Sequence, residues 1–461
     1  MQHRALSVFM LAMINVAAIC NIANLPFTAQ YGFSSLFYYA FAALVFFIPV
    51  GLISAELATG WPERGGVYVW VREALGEKWG FAAIWLQWVE NIIWYPTIVS
   101  YTAATLAYII NPALAQNRLY IMLSVLVIFW SITFINFLGM KVSGWISTFC
   151  VIIGIFIPGV FIVTMGIIWL ISGNPSNITF SWSALFPHID SVSQMTILPV
   201  ILLIFGGLEM SAVHAKDVEK PQKNYPKAIG LSAIIIFGLL SLGALSIAVV
   251  VPKDKIELAS GSIEAIRYFL SFYHIEWVMP ILICLMVIGA LGMISTWLIG
   301  PPKGILATAK NGDLPPLLQK TNKKNMPVAI LVVQAIVITF LSLIFLYMPT
   351  VSSTYSLLLY LTAQCYLIMY VLLFISGIVL RYKKPKVPRY YKVPFGNVGM
   401  WIVSMVGLAS SSLAMFFGFF PPVNFKNSFL FTVSMVLGTI IMFLIPLTIH
   451  RFKKPSWHAK E

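Results

Sequence analysis

About twelve stretches of near twenty mostly apolar residues follow one another along this chain, from 6–29 through 428–450, with short segments between them. The hydrocarbon core of a bilayer takes roughly 20 helical residues to cross. Lipid offers no partner to backbone N–H and C=O groups, so each stretch is expected to close into a helix. Composition agrees, with 10% of the 461 residues charged and a mean hydropathy of +0.90, against about 25% charged residues in soluble proteins. The expected fold class is an all-α membrane protein, a single transmembrane domain over 1–461.

The net charge of +14 has a membrane explanation. All but five of the 29 Lys and Arg fall at ends and loops that would share one side of the bilayer; Arg118, Lys253, Lys255, Arg267 and Lys426 are the exceptions. Cytoplasmic loops carry the excess of Lys and Arg, so both termini are expected in the cytoplasm and the chain in the cell (inner) membrane. The charge needs no nucleic-acid partner; the lipid bilayer is the partner it implies. The first apolar run exceeds signal-peptide length and contains Asn15, Asn21 and Asn24, so it is expected to be retained.

Cys20, Cys150, Cys284 and Cys365 are far apart and none forms a CxxC pair, so neither a disulfide framework nor a metal site is expected. No paired catalytic groups suggest a membrane enzyme, no cofactor motif is evident, and no repeated pore motif suggests a channel.

Two apolar runs are interrupted. AMINVAAICNIANLPFTAQYG carries three Asn and Pro26, and LLIFGGLEMSAVH, in the sixth run (193–214), carries Gly206, Gly207 and Glu209. The breaks are five runs apart, which puts them in opposite topologies, as an inverted repeat of five spans requires. Discontinuous helices at corresponding positions of two halves point to a transporter's binding site. Repeat one is expected over about 6–172, repeat two over about 193–380, and additional helices over about 398–450.

Other polar residues within the runs have both a packing and a functional reading. In IWLQWVENIIWYPTIVSY, residues Gln87, Glu90 or Asn91, Trp94, Thr97 and Tyr101 recur on one helical face. An acid at mid-span normally faces a cavity or a partner, so Glu90 is expected to line the pathway. Glu56 lies near Arg64 and Arg72 in sequence and is expected to pair with them. Tyr360 and Gln364 share a face at i, i+4 and either line a site or pack between helices. Trp297 either closes over a substrate or packs.

Three stretches together carry a family resemblance: SAELATGWPERGGVYVWVREALGEKWGF (54–81), FGGLEMSAVHAKDVEKPQKNYPKAI (205–229) and STWLIGPPKGILATAKNGDLPP (295–316). The chain resembles permeases of the amino acid–polyamine–organocation superfamily, most of all the bacterial glutamate/γ-aminobutyrate antiporter family. The resemblance implies about 12 transmembrane helices, a five-plus-five inverted repeat with broken helices 1 and 6, and two additional helices. It further implies alternating access around a midplane site. Carried over by motif, the unwound stretches are Ile19-Cys20-Asn21 and Phe205-Gly206-Gly207, with Glu209 at the family's Glu position.

Where glutamate/γ-aminobutyrate members have a Glu on helix eight, this chain has Met293, and only about ten residues follow its last run in place of a long C-terminal plug. An antiporter of amino acids or amines is therefore expected, active at neutral pH. The alternatives are a proton-coupled importer and an arginine/agmatine-type exchanger.

Overall fold

The computed structural model describes residues 7–62, 65–137, 149–187, 192–212, 220–298, 300–422, 425 and 427–457. These are mostly helical, and no strand occurs among them. Ten helices are long and apolar enough to cross a membrane, as expected of a multi-pass protein. The first expected span is a pair, α1 (Val8–Ile19) and α2 (Ile22–Ala29), bent by 45° at the junction. The sixth is the shorter broken stretch Leu198–Met210, which holds α7 (Leu198–Ile204) and then α8 (Leu208–Ala212).

α1 packs along α9 (Pro221–Val250), and α5 (Glu77–Ile110) makes the broadest helix contact of the fold with α14 (Val351–Lys383). The most apolar window of α5 is 78% buried, whereas that of α16 (Ser428–Arg451) is 22% buried. The first is thus the protein's axis and the second its lipid-facing edge. The other helices are α3 (Gly32–Gly60) and α4 (Val67–Leu75) before α5, the span Arg118–Asn136 and α6 (Phe149–Ile171) after it, and α10 (Gly261–Phe272), α11 (Met279–Trp297), α12 (Gly300–Lys310), α13 (Val328–Ser342) and α15 (Gly396–Phe417) further on.

A proline interrupts one helix of this scaffold without stranding the carbonyl opposite it. Pro49 has no N–H for the Val45 carbonyl, and α3 widens to π geometry over Ala43–Phe47 just before it. The Val45 carbonyl instead accepts a 3.1 Å bond from the Ser410 hydroxyl on α15. Where α6 crosses α11, Gly154 meets Gly289 so closely that a Cβ on Gly154 would lie 2.3 Å from the Gly289 Cα. Small residues at such crossings let membrane helices approach backbone to backbone.

Glu56 is paired, as expected, but with other partners. Its carboxylate accepts two 2.6 Å bonds from Arg381, on Nε and Nη2, and a 2.7 Å bond from the Val393 N–H, with Arg389 Nε at 3.5 Å. Arg72 binds Glu73 instead, and Arg64 lies outside the described residues. The expectation followed distance along the chain, whereas the end of α14 comes back against α3. Breaking a buried pair on one side strands the other charge, at a cost of about 3–5 kcal/mol. Arg381→Gln should therefore lower the unfolding temperature in detergent sharply, and adding Glu56→Gln should recover part of the loss. A wild-type melting curve for Arg381→Gln would contradict this role.

Candidate functional site

The site begins with two places where helix geometry stops. Cys20 and Asn21 are extended, at φ −68°, ψ 118° and φ −139°, ψ 113°. The Asn21 carboxamide oxygen accepts from the Ala23 N–H at 2.9 Å, capping the start of α2. The N–H groups of Asn21 and Ile22 have no hydrogen-bond partner among the described residues. They are the open donors at a helix start, where partial positive charge collects.

The second break needs both of its glycines, for different reasons. Gly207 sits at φ +119°, a conformation L side chains rarely adopt. Gly206 has ordinary φ, but a Cβ there would lie 2.7 Å from the Tyr366 ring. The Gly207 N–H donates to the Tyr370 hydroxyl at 2.8 Å. That hydroxyl donates in turn to Glu209 Oε2 at 2.6 Å, and Glu209 Oε1 accepts from Tyr366 at 2.5 Å and Gln87 at 2.9 Å. Glu209 is thus fully engaged with neutral donors from α5 and α14, and it ties both helices to the break.

Between the breaks lies a cavity of about 50 Å³. Ile19, Asn21, Glu90, Gly206 and Trp297 line it, together with Asn91, Trp94, Met293 and Tyr366. Glu90 has one hydrogen bond, 2.5 Å from Asn91 Nδ2, and no ion pair reaches it or Glu209 among the described residues. Trp297 donates to the Ala18 carbonyl at 3.3 Å and lies 6.4 Å from the Trp94 ring, so the two indoles form one wall across the end of α1.

The remaining residues expected from sequence lie beside the cavity rather than on its wall. Cys20 is buried at the break. Phe205 packs edge-on against Tyr39 and Phe47. Glu209 stands behind Tyr366, and Gly207 behind Trp297. Tyr360 donates to the Thr196 carbonyl at 2.7 Å, and Gln364 donates to the Met415 carbonyl at 2.8 Å. Neither side chain lines the cavity. Sequence reading passed over Tyr370, although Tyr366 and Tyr370 are also spaced i, i+4 and share a face, the signal that would have paired them.

The 205–229 stretch is described at both ends, with residues 213–219 outside the described set.

Comparison with known proteins agrees with this architecture. A family model described as amino acid permease matches residues 5–444. An uncharacterized transporter of Legionella pneumophila is 42% identical over 96% of both chains. A glutamate/gamma-aminobutyrate antiporter of Lactococcus lactis is 30% identical over 99% of this chain and 92% of its own. A probable agmatine/putrescine antiporter of Lactococcus lactis is 24% identical over 94% and 92%.

The tyrosine bridge yields a test. Tyr370→Phe removes the acceptor of the Gly207 N–H and a donor to Glu209, leaving a buried N–H unpaired at about 1–3 kcal/mol. Transport by this variant should fall about tenfold or more at equal membrane expression, and Gly207→Ala should fall further because its backbone is strained. Undiminished transport by both would detach the break from function.

Proposed function

Because this chain belongs to the amino acid permease family, we propose that it is a secondary active antiporter exchanging amino acids or amines by alternating access at the cavity between the two broken helices. The observation that carries this reading is the make-up of that cavity. Asn21, whose N–H is open at the start of α2, and Glu90, a carboxylate without a cation, both line it. A substrate carboxylate would dock on the helix-start N–H groups and its ammonium near Glu90, which satisfies both ends of a zwitterion. The cavity of about 50 Å³ must widen for an amino acid to enter, and Trp297 is the side chain placed to move, since it meets α1 and the glycine break at once.

This composition favours substrates that bear an amine over those with a second carboxylate, because no Lys or Arg lines the cavity. Glutamate/γ-aminobutyrate exchange, the activity named for the Lactococcus lactis relative, remains the second reading, and coupling to protons would place the proton on Glu90. The expected setting is the cell (inner) membrane, with the Lys- and Arg-rich ends in the cytoplasm and the two halves related as a five-plus-five inverted repeat.

Proteoliposomes loaded with one amino acid or amine and challenged with a panel of others, at pH 5 and 7, test the reading. Uptake should require a substrate on the far side and persist at pH 7. A charged hydrogen bond contributes about 1.5–3 kcal/mol, so Glu90→Gln should weaken amine-bearing substrates by about tenfold or more. Uptake without any counter-substrate would make the protein a channel or an importer; exchange confined to glutamate and γ-aminobutyrate at pH 5 would favour the second reading.

Accessibility offers a separate check. Cys20 is buried at the break, and Cys284 is exposed on a membrane helix where lipid surrounds it. If the breaks open during exchange, Cys20 should react with a small polar thiol reagent only while substrate cycles, with Cys284 protected throughout. Cys20 labelling that ignores substrate would separate the break from the transport cycle.

A further inference from the structure

A second hollow, larger than the one between the broken helices, lies apart from it. It measures about 400 Å³ and lies at the Lys- and Arg-rich end of the protein, where α5, α13 and α16 diverge. Its walls include Trp85 and Trp88 of α5, Val333 of α13 and Ile449 of α16, together with Leu318 and Trp457. The Gln319 carboxamide, next to Leu318, donates to the Trp457 carbonyl at 2.6 Å and to the Ala309 carbonyl of α12 at 2.9 Å.

Water does not suit this space. About 15 Å³ admits one water, but a water needs two to four polar partners. Thr448, the one hydroxyl on the wall, already donates to the Leu444 carbonyl. An unfilled void would forfeit dispersion contacts along its whole lining, and the edge of α16 is the lipid-facing side of the fold.

Basic residues adjoin the lining in sequence: Lys320 follows Leu318 and Gln319, and Arg451 and Lys454 flank Phe452, all three exposed. The acids nearby are already taken, since Lys453 binds Glu77 at 2.9 Å and Asp313 at 3.5 Å. An apolar slot beside exposed, uncompensated cations matches the tail and headgroup of one molecule. We propose that this hollow binds an acyl chain of an anionic phospholipid, with the headgroup against Lys320, Arg451 and Lys454.

Native mass spectrometry of the full-length protein, delipidated and then offered phosphatidylglycerol or phosphatidylcholine, tests this. Lys and Arg near a membrane surface each favour anionic lipid, so the wild type should retain phosphatidylglycerol about tenfold better than phosphatidylcholine. Val333→Trp fills the slot and should abolish that retention. Lys320→Gln with Lys454→Gln leaves the slot intact at two exposed positions, and it should reduce phosphatidylglycerol to the phosphatidylcholine level. Equal binding of both lipids by the wild type would overturn the proposal. So would unchanged phosphatidylglycerol retention in Val333→Trp, or in the double lysine variant should the tryptophan variant fail to fold.

Discussion

A membrane helix that stops must hand its loose backbone groups to something other than lipid. In this protein the hand-over at the second break is the Gly207 N–H to the Tyr370 hydroxyl, and from there to Glu209. The glutamate cannot relax into solvent, and the tyrosines cannot swing aside without stranding it. The break is therefore a defined geometry rather than a slack segment, and α14 and α5 are positioned by it. The first break relies instead on its own side chain, Asn21 capping Ala23, and it leaves two N–H groups unclaimed.

Three buried carboxylates show how the same group is put to different uses by its neighbours. Glu56 meets an arginine fork and a backbone N–H, the arrangement that holds two charges out of water. Glu209 meets three neutral donors and no charge. Glu90 meets one carboxamide and a cavity. A buried carboxylate with its lone pairs taken is architecture, while one with lone pairs to spare asks for a partner. By that criterion the residue left to meet a cation is Glu90, although Glu209 is the more conspicuous in sequence.

The parts of this structure that were legible in sequence are those written as one-dimensional signals. Apolar run length marked ten of the about twelve expected spans as helices long enough to cross a membrane, and the two interrupted runs are the two that break, with the residues of each break given by the family resemblance. Less legible was which face of a helix buried on all sides turns inward. α14 is apolar and buried around most of its circumference, so the spacing that joined Tyr360 to Gln364 applies equally to Tyr366 and Tyr370, and only packing tells them apart. The partners of Glu56 were hidden for a related reason. Arg381 is 325 residues away, and a loop's own arginines are nearer in sequence without being nearer in space.

The two breaks are linked through one side chain that touches both, and a second joins the glycine break to the cavity between them. Trp297 donates to the Ala18 carbonyl near the end of α1, and its ring lies where a Cβ on Gly207 would meet it at 3.1 Å. Tyr366 lines the cavity, presses on Gly206 and donates to Glu209. Packed cores have discrete arrangements rather than continuous ones. A ligand that displaced the Trp297 indole from the cavity would free the Ala18 carbonyl and release the contact on Gly207 in one movement. A shift of Tyr366 would loosen Gly206 and Glu209 together. On the proposed alternating-access reading, binding at the cavity would reach α1, the glycine break and α14 through contacts already present, as a site whose occupancy resets which side of the membrane it faces requires.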